Sequence, residues 1–461
     1  MGLDTAGTQL LHASLRRPLR LGLIALAVTV AIGTVEPSAG SDYSVRSRKI
    51  GAGVRYKRIF DPKGPWRIKI VSVRLSARSR LATGLAHNKL NGYGETTSSM
   101  ARRNRAIAAV NGDFGWTRPV NPLARRGKLV QLPHLWWGRN FAVDRAEKNV
   151  YFGRFQYKVW ADEIDTAVRH DIKYVNGGSA GENGLALFTP AGSVLERPPK
   201  RSCSARLLAR QSPTVSIDGT GVEARHSVAK VACRRRPLKR LDGSILATPR
   251  FGTRAEEVKK LRAGDKVALG WSPGWPNVFE TLGGYPVILA GGNIAWENVK
   301  GGSSFYSRHP RTGVGFDKEK GSILLITVDG RRDQSVGMTL GEFARLYRSL
   351  GAEWALNLDG GGSTTTVVKG DVVNQPSDGS ERPVSSSLLV LRRKSSRPSL
   401  RTLGAPITSR SARLNKTLLD IARDQGSTGG LASALESKGV RLTPELSQAG
   451  AVARRMDGST P

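Results

Sequence analysis

From Trp66 the chain alternates apolar and charged positions. WRIKIVSVRL repeats with period two, as a strand with one face in a core requires. A second apolar run, AIAAVNGDF (106–114), closes on an Asn-Gly turn signal. Between Val143 and Val267 short alternating runs such as VYFGRFQYKVW, LALFTPAGSVL, PTVSIDGTGVEAR and HSVAKVACR are broken by Gly, Pro and Asp, and they predict β-hairpins. Past Thr281 the pattern changes. GSILLITVDG is an apolar run of strand length ending at Asp329, and AEWALNLD is a second one ending at Asp359. Between them TLGEFARLYRSLG carries Thr339 and Glu342 at capping-box spacing. Leu340, Phe343, Ala344, Tyr347 and Leu350 lie on one helical face, and Gly351 is a stop signal. Strand, helix, strand is a β-α-β unit, whose crossover sets its strands parallel and their ends on one side of the sheet. Asp329 and Asp359 are then close together if the two strands are neighbours. The fold class expected is α+β: a single large domain over 66–392 with a mixed β-sheet, hairpin-rich in its first half and with the β-α-β unit in its second.

The flanks read differently. Arg16, Arg17 and Arg20 precede the apolar stretch Leu21–Gly33 and the small-residue segment SAGS, which is the order of a signal peptide over 1–40. The stretch is short of the roughly 20 residues of a membrane span, so a cleaved signal is preferred to an uncleaved anchor. Residues 41–65 are basic and turn-rich and read as a linker. Residues 393–461 read as a basic, mostly disordered tail with one short helix.

The 461 residues carry a formal net charge of +35, so the surface draws anionic partners. Aromatic residues are 6% of the chain, with no zinc-ligand spacing and no RNA-recognition motif, which makes nucleic acid the weaker candidate and an anionic cell-surface polymer the stronger. The two cysteines, Cys203 and Cys233, form a disulfide if the chain is exported, or remain two thiols if it is not.

Candidate chemistry gathers near Asp359. The glycines Gly360, Gly361 and Gly362 give the backbone freedom to converge N–H groups on an anion, and Ser363 and Thr364 add hydroxyl donors there. A plain hairpin turn is the alternative. YSRHPRTGVGF places Arg308, His309 and Arg311 around a proline. Arginine's planar fork suits phosphate, although a solvated basic loop has the same composition. Glu381 and Arg382 precede another strand, where an ordinary surface ion pair is the alternative.

The run from Arg311 to Val390, with HPRTGVGF, LLITVDGR, TLGEFARLYRSLGAEWALNLDGGGSTTTVV and ERPVSSSLLV, resembles the phosphodiester glycosidases, relatives of the uncovering enzyme N-acetylglucosamine-1-phosphodiester alpha-N-acetylglucosaminidase. Looser matches upstream are AAVNGDF, VNGGSAGENGLALFTP and LGGYPVILAGG, with departures at Asp113, where many relatives carry glycine, and at Ser179, where arginine is expected. The resemblance implies hydrolysis between a sugar's anomeric carbon and a phosphate esterified on its other side. It makes Asp359 the nucleophile or base, with Asp329 or Glu381 as carboxylate partner. Arg311, Arg382 and the Gly360–Ser363 turn then hold the phosphate, His309 assists, and Asn111 orients the sugar. No cofactor is required on this reading, and a structural divalent cation is compatible with it. The expected setting is secreted or cell-envelope associated, with no membrane span after signal cleavage. A metal-dependent phosphodiesterase and a non-catalytic binder of anionic wall polymers are the rival readings.

Overall fold

In a computed structural model of the chain, the period-two segment at Trp66 is a strand near the middle of an eight-stranded sheet. The structure describes residues 43–393 apart from 76–77, 91, 134–137, 178–182, 191–197, 199, 211–213, 216–221, 236–237, 239–242 and 296–303. The expected signal peptide, the basic tail and Ser179 lie outside the described residues.

The sheet is built from β1 (Ser44–Gly51), β2 (Val54–Asp61), β3 (Trp66–Arg74), β6 (Val287–Ala290), β7 (Arg311–Asp317), β8 (Ser322–Val328) and β9 (Trp354–Asn357). The order is β1-β2-β3-β8-β7-β9-β6, with the short strand Asn293–Ile294 at the far edge, and every neighbouring pair is antiparallel. Both faces are covered, which explains the unbroken apolar run of β8. Ile323 and Leu325 point into the core shared with a second sheet, while Leu324, Ile326 and Val328 pack on the side of helix α2 (Leu340–Ser349).

The second sheet has five strands: Asp371–Val372, β10 (Thr366–Val368), β5 (Ala106–Asn111), β11 (Ser386–Arg392) and β4 (Ser79–Leu85), in that order. Helix α2 starts with the capping box that Thr339 and Glu342 predict, and it buries Leu340, Phe343, Ala344 and Tyr347. The glycines of β7 make that packing feasible. A Cβ on Gly315 would stand 2.5 Å from the Tyr347 ring, and one on Gly313 would stand 2.9 Å from Phe343.

Two expectations need correction. Strand β8, helix α2 and strand β9 occur in the expected order, but β7 lies between the two strands and pairs antiparallel with each. They run in the same direction without being neighbours. Residues 41–65 are not a linker, because β1 and β2 form a hairpin that extends the sheet, and Val54, Tyr56 and Ile59 enter the core. The exposed β1, SVRSRKIG, has almost no apolar face, so its composition imitates a solvated segment.

Mostly β is the better description of the class. The hairpin-rich stretch forms a nine-stranded sheet, whose pairing of Tyr174–Val175 with Ala186–Phe188 is parallel, so a mixed sheet is present. Within it Cys203 and Cys233 face each other across strands Ser202–Ala209 and Val222–Arg234 and are joined by a disulfide. Replacing both cysteines by alanine is expected to cost about 4 kcal/mol of unfolding free energy through the enlarged unfolded ensemble. Urea titrations of oxidised wild type and of the variant check this, and equal midpoints would contradict it. Among the described residues no helix is long and apolar enough to cross a membrane.

Candidate active site

The segments that follow β5 and β9 meet at Asp359. Past β9, the Asp359 N–H donates to the Gly112 carbonyl at 3.1 Å, and its carbonyl accepts from Asn111 Nδ2 at 2.6 Å. The Asn111 amide oxygen accepts from the Thr312 hydroxyl at 2.8 Å and from the Thr365 N–H at 3.1 Å. One fully buried asparagine thus ties three segments together behind Asp359.

The Asp359 carboxylate is half-buried, and burial pushes its pKa up to about 6 against the Ser363 hydroxyl, the Arg382 charge and the Gly360 N–H. Asp113 sits at the other side of the junction and is buried. Its oxygens accept from the Phe114 N–H, the Asn121 N–H and Asn121 Nδ2 at 2.8, 2.9 and 2.6 Å. Burial outweighs these bonds, the negative charge of Asp359 adds to the rise, and the Asp113 carboxyl reaches about 7. Gly283 is required beside it: a Cβ there would lie 2.3 Å from Asn121 Cβ and 2.7 Å from Asp113 Oδ2. That accounts for the first glycine of LGGYP, and a Cβ on the second, Gly284, would lie 2.5 Å from the Asn357 carbonyl oxygen.

The three glycines after Asp359 act differently from a nest of free amides. The Gly360 N–H bonds the Asp359 carboxylate, that of Gly361 donates to the Pro310 carbonyl at 2.9 Å, and that of Ser363 donates to the Gly360 carbonyl at 3.1 Å. What the glycines provide is room. Gly361 adopts φ 58°, and a Cβ on it would touch Arg331 Nη2 at 3.0 Å. A Cβ on Gly362 would fall 2.1 Å from Arg382 Nη2 and 2.0 Å from Asp378 Oδ2. Two guanidinium groups therefore lie on the bare backbone beside Asp359. Arg331 Nη2 also stands 3.4 Å from His309 Nδ1, and Arg382 Nε donates to Asp378 Oδ2 at 2.9 Å. Gly362→Ala is expected to displace the flexible ends of Arg382 and Asp378 without unfolding the protein. A KM raised about tenfold, with melting temperature held, is the expected reading; a collapse in stability would show the turn to be too tight to adjust.

A family model described as Phosphodiester glycosidase matches residues 242–391. That stretch of the chain is similar to the family. An uncharacterised SPbeta prophage-derived protein of Bacillus subtilis is 42% identical over 83 residues, 18% of this chain and 13% of that protein. The mouse N-acetylglucosamine-1-phosphodiester alpha-N-acetylglucosaminidase is 44% identical over 68 residues, 15% of this chain and 13% of the enzyme. The matched stretch thus spans about an eighth of these curated relatives. In fold, the chain resembles a hypothetical protein from Synechocystis, with TM-score 0.58 at 21% identity over 77% of this chain and 64% of that one. It also resembles a putative exported protein from Burkholderia pseudomallei, with TM-score 0.56 at 18% identity over 76% and 96%.

The matched segment supplies Asp359, the glycines, Ser363, Arg331, Arg382 and His309, while Asn111 and Asp113 come from upstream of it. Other residues expected at the site are committed elsewhere. Both oxygens of buried Asp329 are engaged, by Lys69 Nζ at 2.7 Å and by the Gln375 N–H at 3.1 Å. Glu381 accepts from the Ser98 N–H at 2.9 Å in the first turn of helix α1 (Thr97–Arg103), a stabilising place for a carboxylate. Buried Arg311 donates to the carbonyls of Met338, Phe305 and Ser307 at 2.8–2.9 Å, so its fork is filled by backbone. Burial and the nearby Arg331 charge lower its pKa to about 10. Thr364 is buried and accepts from the Thr312 hydroxyl at 3.4 Å. Arg308 pairs with Glu342.

Sequence reading passed over two residues. Arg331 directly follows the Val-Asp-Gly strand end, which was signal enough, but it was one arginine among many. Asp113 stands out in the sequence only as a departure from a glycine position. Among the described residues no three His, Cys, Asp or Glu side chains gather as a metal site requires.

Proposed function

We propose that the protein is a hydrolase cleaving the glycosyl-phosphate bond of a sugar-1-phosphodiester, in an anionic cell-envelope or extracellular glycan. The observation that carries this reading is the half-buried Asp359 carboxylate beside a side-chain-free turn on which Arg331 and Arg382 rest. With its pKa near 6, Asp359 is ionised at neutral pH and attacks, or activates water at, an anomeric carbon with oxocarbenium character. The departing phosphodiester needs little protonation; it needs its growing charge held, and the two guanidiniums supply that. His309, beside Arg331, orients that guanidinium. Asn111 positions Asp359 through its backbone instead of touching the sugar. The matched relatives with a named activity act on a sugar-1-phosphodiester, which supports this substrate class. The net charge of +35 favours a polyanionic polymer, and the basic-then-apolar start with the disulfide favours export.

The experiment is to incubate the protein, with and without chelator, on a panel of sugar-1-phosphodiesters and identify products by mass spectrometry. Free sugar plus phosphomonoester, formed with chelator present, is the expected result. Sugar phosphate plus alcohol would transfer the assignment to a metal-dependent phosphodiesterase. Binding with no product would make the protein a wall-polymer binder.

A further inference from the structure

The turn that carries Asp113 continues into an aromatic residue that stands in solvent. Trp116 is 68% exposed, rare for an indole on a domain with ample core to bury it in. Its direction is set by Gly115, which adopts φ 95° where a Cβ would lie 2.2 Å from the Arg118 carbonyl oxygen; no other residue makes that turn unstrained. The inner edge of the indole is supported. A Cβ on Gly94 would meet Trp116 Cδ1 at 3.0 Å and Pro383 at 2.9 Å, so indole, Gly94 and Pro383 are packed together. Pro383 directly follows Arg382, the guanidinium lying on Gly362 beside Asp359. Trp116 is thus tied by one short turn to Asp113 and by one packing contact to the segment that carries Arg382.

Resting on the proposed function, we infer that Trp116 is the sugar platform of this site, its open face stacking on the pyranose ring of the bound sugar-1-phosphodiester. A pyranose presents an apolar face of C–H groups suited to a flat π surface, and an indole offers a large rigid area at little entropic cost. The arginines favour an occupant that carries a phosphate next to that ring. An apolar peptide lacks that pairing of a C–H face with an adjoining anion.

The test uses the full chain with Trp116→Ala and Trp116→Phe. Phe251→Ala serves as control, because Phe251 is an even more open aromatic (85% exposed) outside the site. On methyl phosphodiesters of sugar-1-phosphates, Trp116→Ala is expected to raise KM about tenfold with kcat changed less than about twofold, and Trp116→Phe to recover most of the loss. Melting temperatures stay at the wild-type value in all three. Trp116→Ala behaving like Phe251→Ala, or lowering kcat at constant KM, would overturn the platform. Calorimetric binding of the same diesters in an Asp359→Asn background separates this inference from the proposed reaction. Binding weakened about tenfold by Trp116→Ala supports the platform even if wild type releases no sugar. No binding by the Asp359→Asn protein overturns both.

Discussion

Asp359→Asn is expected to lower kcat/KM by on the order of 10³–10⁴-fold while leaving the protein at least as stable as wild type. The amide retains the shape of the carboxylate and an acceptor for Ser363 but can neither attack an anomeric carbon nor take a proton. The stability half follows from linkage. The native pKa of Asp359, about 6, lies above the ordinary 3.8, so the folded protein retains a proton that the unfolded chain releases. Stability therefore falls as pH rises between about 4 and 6. The full penalty, roughly 3 kcal/mol, applies above that window. Asparagine removes the penalty, so the variant should melt higher than wild type at pH 8 and alike at pH 4. Wild-type kcat/KM should rise along an acid limb with an apparent pKa near 6 as the carboxylate ionises. Calorimetry at the two pH values and a pH–rate profile check both halves. A variant that melts far below wild type at pH 8 would make Asp359 a structural turn residue and remove the basis for the assignment.

Asn111→Ala carries the second largest expectation, and here stability and activity fall together. The side chain is fully buried; its loss strips a donor from the Asp359 carbonyl and an acceptor from both the Thr312 hydroxyl and the Thr365 N–H. Orphaned buried groups and a small cavity together cost about 3–5 kcal/mol. The turn bearing Asp359 also loses its anchor, and kcat should drop at least about a hundredfold because a displacement of about 1 Å at the reacting centre has that effect. Denaturant titration with steady-state kinetics reads both quantities. A variant as stable as wild type but with raised KM would instead put Asn111 in contact with the sugar.

The contrast between Asn111 and Asp359 shows what the sequence made legible. Local signals were readable: the capping box of Thr339 and Glu342, the apolar face of helix α2, and strand ends at Asp329 and Asp359. These depend on interactions a few residues apart. Strand order does not, and nothing near Ser322 or Trp354 announces that β7 enters between them. The same limit misplaced the carboxylate partner. Asp329 and Asp359 close equivalent strands, yet Asp329 is held by Lys69, from a strand about 260 positions earlier. Asp113, the acid whose pKa does feel Asp359, comes from the other sheet. The glycine run suggests free N–H groups, whereas the structure uses its empty space for arginines that are separated from it in sequence by 20 to 30 residues.

The β1–β2 hairpin has a consequence for self-association. With it in place the outermost strand presents Arg46, Arg48 and Lys49 to solvent, and like charges resist pairing edge to edge with another molecule. Without it, the unpaired backbone of β3 and the apolar side chains that Val54, Tyr56 and Ile59 now cover become a template for intermolecular strand addition. A chain shortened to begin at Trp66 would therefore keep every residue of the site and still be lost from solution as aggregate.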